Sequence, residues 1–176
     1  MFDSRVKKIA EIGVCAALMF VGQVALRVIP NVEVVTLFVV CFSFALGLST
    51  ALPAAVIFCT LEWVLYGFGY WVPAYYVYWS LLAATANLTR LPKSRGGQAL
   101  VAVTVAVVCT AAFGFLTTLA DSLFIVKTAA DFVRLYPIIY ARGIYFYLVH
   151  VVSNGIVVGL LFLPITKLLQ KRLTKL

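Results

Sequence analysis

Residues 99–120 read Ala-Leu-Val-Ala-Val-Thr-Val-Ala-Val-Val-Cys-Thr-Ala-Ala-Phe-Gly-Phe-Leu-Thr-Thr-Leu-Ala, twenty-two positions without one charge. As a helix this run is about 33 Å long, enough to cross the roughly 30 Å hydrocarbon core of a bilayer. Comparable apolar runs lie on either side of it, at about 9–29, 34–49, 51–67, 73–89 and 144–165. The whole chain of 176 residues is 64% hydrophobic and 11% charged, with a mean hydropathy of +1.08. A soluble domain carries about 25% charged residues, so too few polar groups remain here to cover a wet surface. Six spans with short connections use the full length and leave no room for a soluble domain.

The direction of the spans follows from lysine and arginine. With six spans and both termini on one side, Arg5, Lys7, Lys8, Arg90, Lys93, Arg95, Lys167, Lys171, Arg172 and Lys175 share that side. Arg27, Lys127, Arg134 and Arg142 are left on the other. Ten against four is the asymmetry of cytoplasmic flanks, and it accounts for the net charge of +8 without nucleic acid as a partner. The expectation is therefore an all-α integral membrane protein, a six-transmembrane-helix bundle with both termini cytoplasmic, in which residues 1–176 form one domain. Met1–Lys8 precedes an apolar run longer than a signal-peptide core and without a clear cleavage site, so it reads as the start of the first span. Only the small residues around Gly47, Ser49 and Thr50 separate spans two and three, which form a tight hairpin or one broken segment. Residues 121–136 are mixed and read as an interfacial helix or long loop, with Pro137 a helix start or kink before the last span.

Cys15, Cys41, Cys59 and Cys109 sit inside apolar runs without CxxC spacing and read as small hydrophobes, neither disulfides nor a metal site. The chain has no Walker sequence, no HExxH and no GxSxG, so no catalytic residues are assigned. No strong internal repeat marks it as a self-contained carrier.

Chemistry-bearing residues concentrate in three places. Residues 66–79, Tyr-Gly-Phe-Gly-Tyr-Trp-Val-Pro-Ala-Tyr-Tyr-Val-Tyr-Trp, hold eight aromatic rings in fourteen positions between spans three and four. Tyr66, Trp71, Tyr75 and Trp79 could form a rigid ligand wall, or equally an interfacial aromatic belt. After span one, Pro30-Asn31-Val32-Glu33-Val34-Val35-Thr36 offers Asn31, Glu33 and Thr36 as ligand contacts; alternatively Asn31 caps a helix whose first turn holds Glu33. In the last span, Arg142, Tyr145 or Tyr147, His150 and Asn154 mark a polar stripe suited to a cavity or to interhelical hydrogen bonds. Glu62, one turn before Tyr66, is an acid in hydrocarbon and needs a ligand or an ion pair, with Arg142 a candidate partner. Asn87 reads as an interhelical bond or cap. Small residues at Ala10, Gly13 and Ala17, at 47–54, and at Ala83, Ala84 and Ala86 give smooth faces that pack helices within the chain or dock a partner.

Together these features resemble the substrate-binding S component of an energy-coupling factor transporter, nearest to the cobalamin or corrinoid subgroup. The resemblance rests on the basic start with its small-residue face, Pro30-Asn31-Val32-Glu33 with Thr36, the Gly47 region, Gly69-Tyr70-Trp71-Val72-Pro73, and Val149-His150-Val151-Val152-Ser153-Asn154 before a basic tail. In the subgroup the glycine-tryptophan loop commonly continues threonine-proline, and valine stands at 72 here. The resemblance implies a six-helix subunit in a bacterial or archaeal cell membrane that captures a vitamin or related micronutrient from outside. It also implies a membrane scaffold (T) subunit and two cytoplasmic ATPase subunits that use ATP, with Ala10, Gly13 and Ala17 docking the scaffold and the loaded subunit toppling to deliver its cargo. No cofactor for catalysis and no metal is expected. Cobalamin or a corrinoid precursor is the first expectation for the substrate; a queuosine precursor, a pyridoxine-like compound or a pterin is the alternative. Asn31, Glu33, Tyr66, Trp71, Tyr75 and Arg142 are then the leading contacts. A purely structural membrane subunit, or an enzyme built on Glu62 and His150, would explain the same bundle differently.

Overall fold

The computed structural model describes residues 4–173, which fold into six helices and no strand. They are α1 (Ser4–Leu26), α2 (Val35–Ala45), α3 (Leu48–Tyr66), α4 (Trp71–Thr89), α5 (Arg95–Ile125) and α6 (Ala129–Leu173). Four of them, α1, α3, α5 and α6, are long and apolar enough to cross a membrane. The expected six-helix bundle is present; the expectation that every helix spans is corrected at α2, and α4 falls short of the other long helices in hydropathy alone. Helix α2 has only 11 residues, about 16 Å, and cannot cross a 30 Å core. Helix α4 has 19 residues, but its three tyrosines, two threonines, Ser80 and Asn87 keep its hydropathy below that of the other long helices.

Helix α2 lies at the centre, in contact with each of the other five helices. Val35, Thr36, Leu37, Val39, Val40, Cys41, Phe42 and Ser43 are all buried, so nearly its whole circumference is covered. Its end is set by Gly47, whose φ of 84° and ψ of 173° are open essentially to glycine alone. Spans two and three are therefore two helices with a two-residue break. Two side chains from α4 and its C-terminal end stitch that break. The Leu48 N–H donates to Asn87 Oδ1 at 3.2 Å, an interhelical bond that satisfies the first N–H of α3, and Arg90 Nη1 donates to the Ser43 carbonyl at 3.4 Å.

Helices α5 and α6 form a long antiparallel hairpin joined by Val126–Thr128 alone. The expected loop or interfacial helix at 121–136 is thus absorbed into the two helices, and Pro137 lies inside α6, neither opening it nor delimiting a separate span. The helix start moves to Thr128 because Thr128 and Asp131 form a reciprocal cap, with Asp131 N–H donating to Thr128 Oγ1 at 3.1 Å and that hydroxyl donating to Asp131 Oδ2 at 2.6 Å. Pro137 lacks the N–H that would bond the Val133 carbonyl, and Val133 is 75% exposed at the surface of α6. Further along α6, every fourth residue is buried: His150, Asn154, Val158, Phe162 and Thr166. The helices approach closely at Gly114, where a Cβ would meet the Tyr147 ring at 2.8 Å.

The helices alternate in direction, so both described ends meet at one pole of the bundle. There Lys8 and Glu11 pair at 3.0 Å and both bond Thr50, Arg90 reaches α2, and Arg95 lies beside Lys167. The opposite pole holds the α1–α2 and α3–α4 connections and the α5–α6 turn. Gly47→Ala forces a side chain into a glycine-only backbone region and is expected to cost about 1–3 kcal/mol. A lowered thermal midpoint in detergent checks this; an unchanged midpoint would show that the break relaxes freely.

Candidate functional site: a cavity at the pole opposite the basic end

The α1–α2 connection lines a cavity of about 240 Å³. Its shape depends on Asn31, which adopts φ of 61°, a left-handed conformation that asparagine tolerates better than most residues. The Asn31 carbonyl is held there by Ser153 Oγ of α6 at 2.8 Å. Two residues later, just before α2 begins at Val35, Glu33 turns inward. Its Oε2 accepts the Thr36 N–H at 2.9 Å, and its Oε1 lies 3.4 Å from His150 Nε2. The helix-cap and ligand-contact readings of this segment thus meet in one residue: Glu33, not Asn31, satisfies the start of α2, and Glu33 also faces the cavity. Burial by itself would raise the Glu33 carboxyl; the hydrogen bond and charge of His150 and the bonds from Thr36 outweigh it and hold the carboxyl below its usual range.

The opposite wall is aromatic. Tyr75 and Trp79, one turn apart on α4, meet edge to face at 6.0 Å, and Phe113 of α5 lies 5.9 Å from Tyr75 and 5.5 Å from the His150 ring. Trp79 is 4% exposed, and its Nε1–H has no hydrogen-bond partner among the described residues. Gln23 and Arg27 contribute from the end of α1, with the Arg27 guanidinium 5.0 Å above the Tyr66 ring. Beneath the cavity, Asn154 Nδ2 donates to Thr36 Oγ1 at 3.2 Å and to Thr110 Oγ1 at 3.0 Å, joining α2, α5 and α6. The Tyr78 hydroxyl lies near the same two threonines without completing a hydrogen bond.

The structure therefore brings Asn31, Glu33, Tyr75, Trp79 and His150 to one cavity and sets Thr36 and Asn154 just below it. Trp71 stands above the wall, edge-on to Tyr75 at 4.8 Å, and Tyr66 serves as the seat for Arg27. Glu62 is buried on α3 outside the cavity lining, with Oε1 unpartnered among the described residues. The charge acting on it is that of Arg27, not Arg142. Arg142 and Tyr145 are exposed on α6 and do not line the cavity; Tyr145 is five residues before His150, about 140° around the helix. Tyr147 bonds Thr118 at 2.9 Å and belongs to the α5–α6 seam. His150 finds its acid in Glu33, not in Glu62. Sequence reasoning missed Gln23, Phe113 and Phe146 as lining residues and read Arg27 only as a flanking charge. The spacing of Gln23 and Arg27, one turn apart at the end of an apolar helix, carried a signal; a phenylalanine within an apolar run carried none.

A larger hollow of about 380 Å³ lies under the α5–α6 turn, lined by Leu123, Val126 and Phe132 with Ser122, Lys127 and Thr128; no carboxylate, imidazole or indole lines it. No grouping of three or more His, Cys, Asp or Glu able to hold a metal occurs among the described residues. Comparison with protein-family models, with characterised proteins and with solved structures finds no match to this chain.

Asn154→Ala removes both donated bonds below the cavity and is expected to cost about 1 kcal/mol, as such bonds do between membrane helices. Unfolding in mixed micelles measures it, and no loss of stability would mean that the two threonine hydroxyls satisfy themselves on their own helices.

Proposed function

We propose that this protein is a membrane-embedded binding subunit that takes a small heterocyclic micronutrient from the side opposite its basic pole. The observation that carries this reading is the cavity itself: aromatic rings of α4 and α5, the Glu33 carboxylate and its partner His150 line one hollow together with the α1–α2 connection. Ligand sites are concave and largely apolar, with a few placed polar groups. The clustering of basic residues at the far pole favours a cytoplasmic location for that pole and for both chain ends, which turns the cavity outward.

Among substrates, a cavity of about 240 Å³ favours a one- or two-ring compound. Drug-sized ligands occupy roughly 300–1,000 Å³, and a corrinoid macrocycle is larger than most of them. The pyridoxine-like, pterin and queuosine-precursor class therefore gains support over the corrinoid class, which rests on sequence resemblance alone.

The partner reading, a membrane scaffold with two ATPase subunits, draws on the same resemblance and on one contrast between small-residue faces. Ala51, Ala54, Ala83 and Ala86 are buried against neighbouring helices of this chain. Ala10, Gly13 and Ala17 are exposed, and a Cβ at Gly13 would meet nothing within 4 Å. A smooth face left uncovered within the chain suits another membrane helix.

Mass spectrometry of small molecules retained by detergent-purified protein, followed by direct titration, tests the binding reading. Tyr75→Ala should weaken the retained compound by roughly tenfold while leaving the elution profile unchanged, since it removes a ring from the wall. Retention of no compound by folded protein, together with failure of a broad vitamin panel, would move the structural-subunit reading ahead. Gly13→Leu should reduce co-purification with the scaffold and leave ligand binding intact; undiminished assembly would remove α1 from the docking role.

A further inference from the structure

Arg95 is the first residue of α5, and Lys167 lies six residues before the end of α6. Because these helices run antiparallel, both side chains line one shallow cleft, together with Gln98, Leu163, Thr166 and Gln170. Among the described residues no acid lines this cleft, and neither cation forms an ion pair. Glu11, the acid described at this pole, is bonded to Lys8 and Thr50, and α1 packs on α2 and α3, not on α5 or α6. Two like charges on one small cleft repel each other, and a shared anion relieves both.

The helix dipole does not account for the pair. It favours anions in the first turn and cations in the last, whereas Arg95 stands in the first turn of α5 and Lys167 falls short of the last turn of α6. Their depth points to the partner. The apolar run of α5 starts at Ala99, about one turn after Arg95, and that of α6 ends at Ile165, just before Lys167. The cleft therefore lies where hydrocarbon gives way to headgroups. It encloses only about 10 Å³, room for a single water and not for a free metabolite. A headgroup anchored by its own chains needs no enclosure. Ile156, Leu160 and Leu163 share the Lys167 face of α6 by their spacing, and all three are exposed, so an apolar track leads from the cleft into the hydrocarbon.

We propose that the α5–α6 cleft at the basic pole binds the phosphate of an anionic phospholipid between Arg95 and Lys167, with an acyl chain along Ile156, Leu160 and Leu163. Basic clefts between spanning helices take such headgroups, and the lipid here supplies the acid that the described chain lacks. The site is separate from the cavity at the other pole and does not rest on the binding reading above.

The test is native mass spectrometry of the delipidated full-length chain in neutral detergent, given equal amounts of dioleoyl-phosphatidylglycerol and dioleoyl-phosphatidylcholine. The anionic lipid should be retained about tenfold or more over the zwitterionic one. Arg95→Gln or Lys167→Gln alone should lower that ratio by about three- to fivefold, and the two together should bring it to about twofold or less. The single variants serve where the double variant does not fold. Arg5→Gln with Lys7→Gln removes as much charge from the same pole outside the cleft, and should leave the ratio within about twofold of the unaltered chain. Absence of a preference for the anionic lipid overturns the proposal. An equal loss in the Arg5 and Lys7 double variant also overturns it, by reducing the effect to diffuse charge. Displacement of the lipid by millimolar glycerol phosphate does so as well, since the occupant would then be a free phosphate compound.

Discussion

Helix α2 is eleven residues long, and both of its ends lie inside the bundle. In an apolar surround each free N–H or C=O of a helix terminus must find a partner from the protein itself. That requirement places the carboxylate of Glu33 at one end, on the Thr36 N–H, and brings Arg90 and Asn87 of the α4 end to the break at the other. The cavity is a direct outcome. A helix that stops short leaves space above its first turn, and the acid that satisfies this turn becomes the floor of that space. Membrane helices gain little from apolar association with one another, so placed hydrogen bonds of this kind and close-packed small residues decide which arrangement forms.

The same logic explains what could be read from the residues alone. Helices α1, α3 and α5 follow from their apolar runs, and the break near Gly47 follows from clustered small residues. The shortness of α2 was not legible, because 34–49 is equally apolar whether it crosses lipid or is wrapped by other helices. The merging of 121–136 into the hairpin was hidden by its mixed composition; the Thr128–Asp131 cap is a local signal that a search for spans overlooks. At the site, Asn31, Glu33 and His150 stood out because polar residues near apolar runs need a reason. Arg142 and Tyr145 stood out for the same reason and yet face outward, since the phase of α6 is fixed by the buried positions from His150 to Thr166. Phe113 is essential to the wall and invisible in sequence, where it is one apolar residue among many.

The lower half of α6 carries a buried residue at every fourth position, whereas none of residues 129–149 is buried. The hairpin tip is therefore held by ring contacts, Phe115 on Tyr140 at 4.6 Å and Tyr70 on Phe124 at 4.5 Å, and by the Tyr147 seat on Gly114. Two hydrogen bonds join these rings, Tyr147 with Thr118 at 2.9 Å and Tyr136 to the Phe115 carbonyl at 3.3 Å, so the tip is fastened by side-chain pairs along its seam.

All three tryptophans of the chain, Trp63, Trp71 and Trp79, lie at the cavity pole, and they differ sharply in surroundings. Trp63 is 44% exposed and Trp71 half-buried, while Trp79 is enclosed with its ring nitrogen unbonded. Indole emission responds to local polarity and to hydrogen bonding at that nitrogen. The protein thereby carries its own optical probe in the wall of the cavity, and the basic pole, with no tryptophan, is spectroscopically silent.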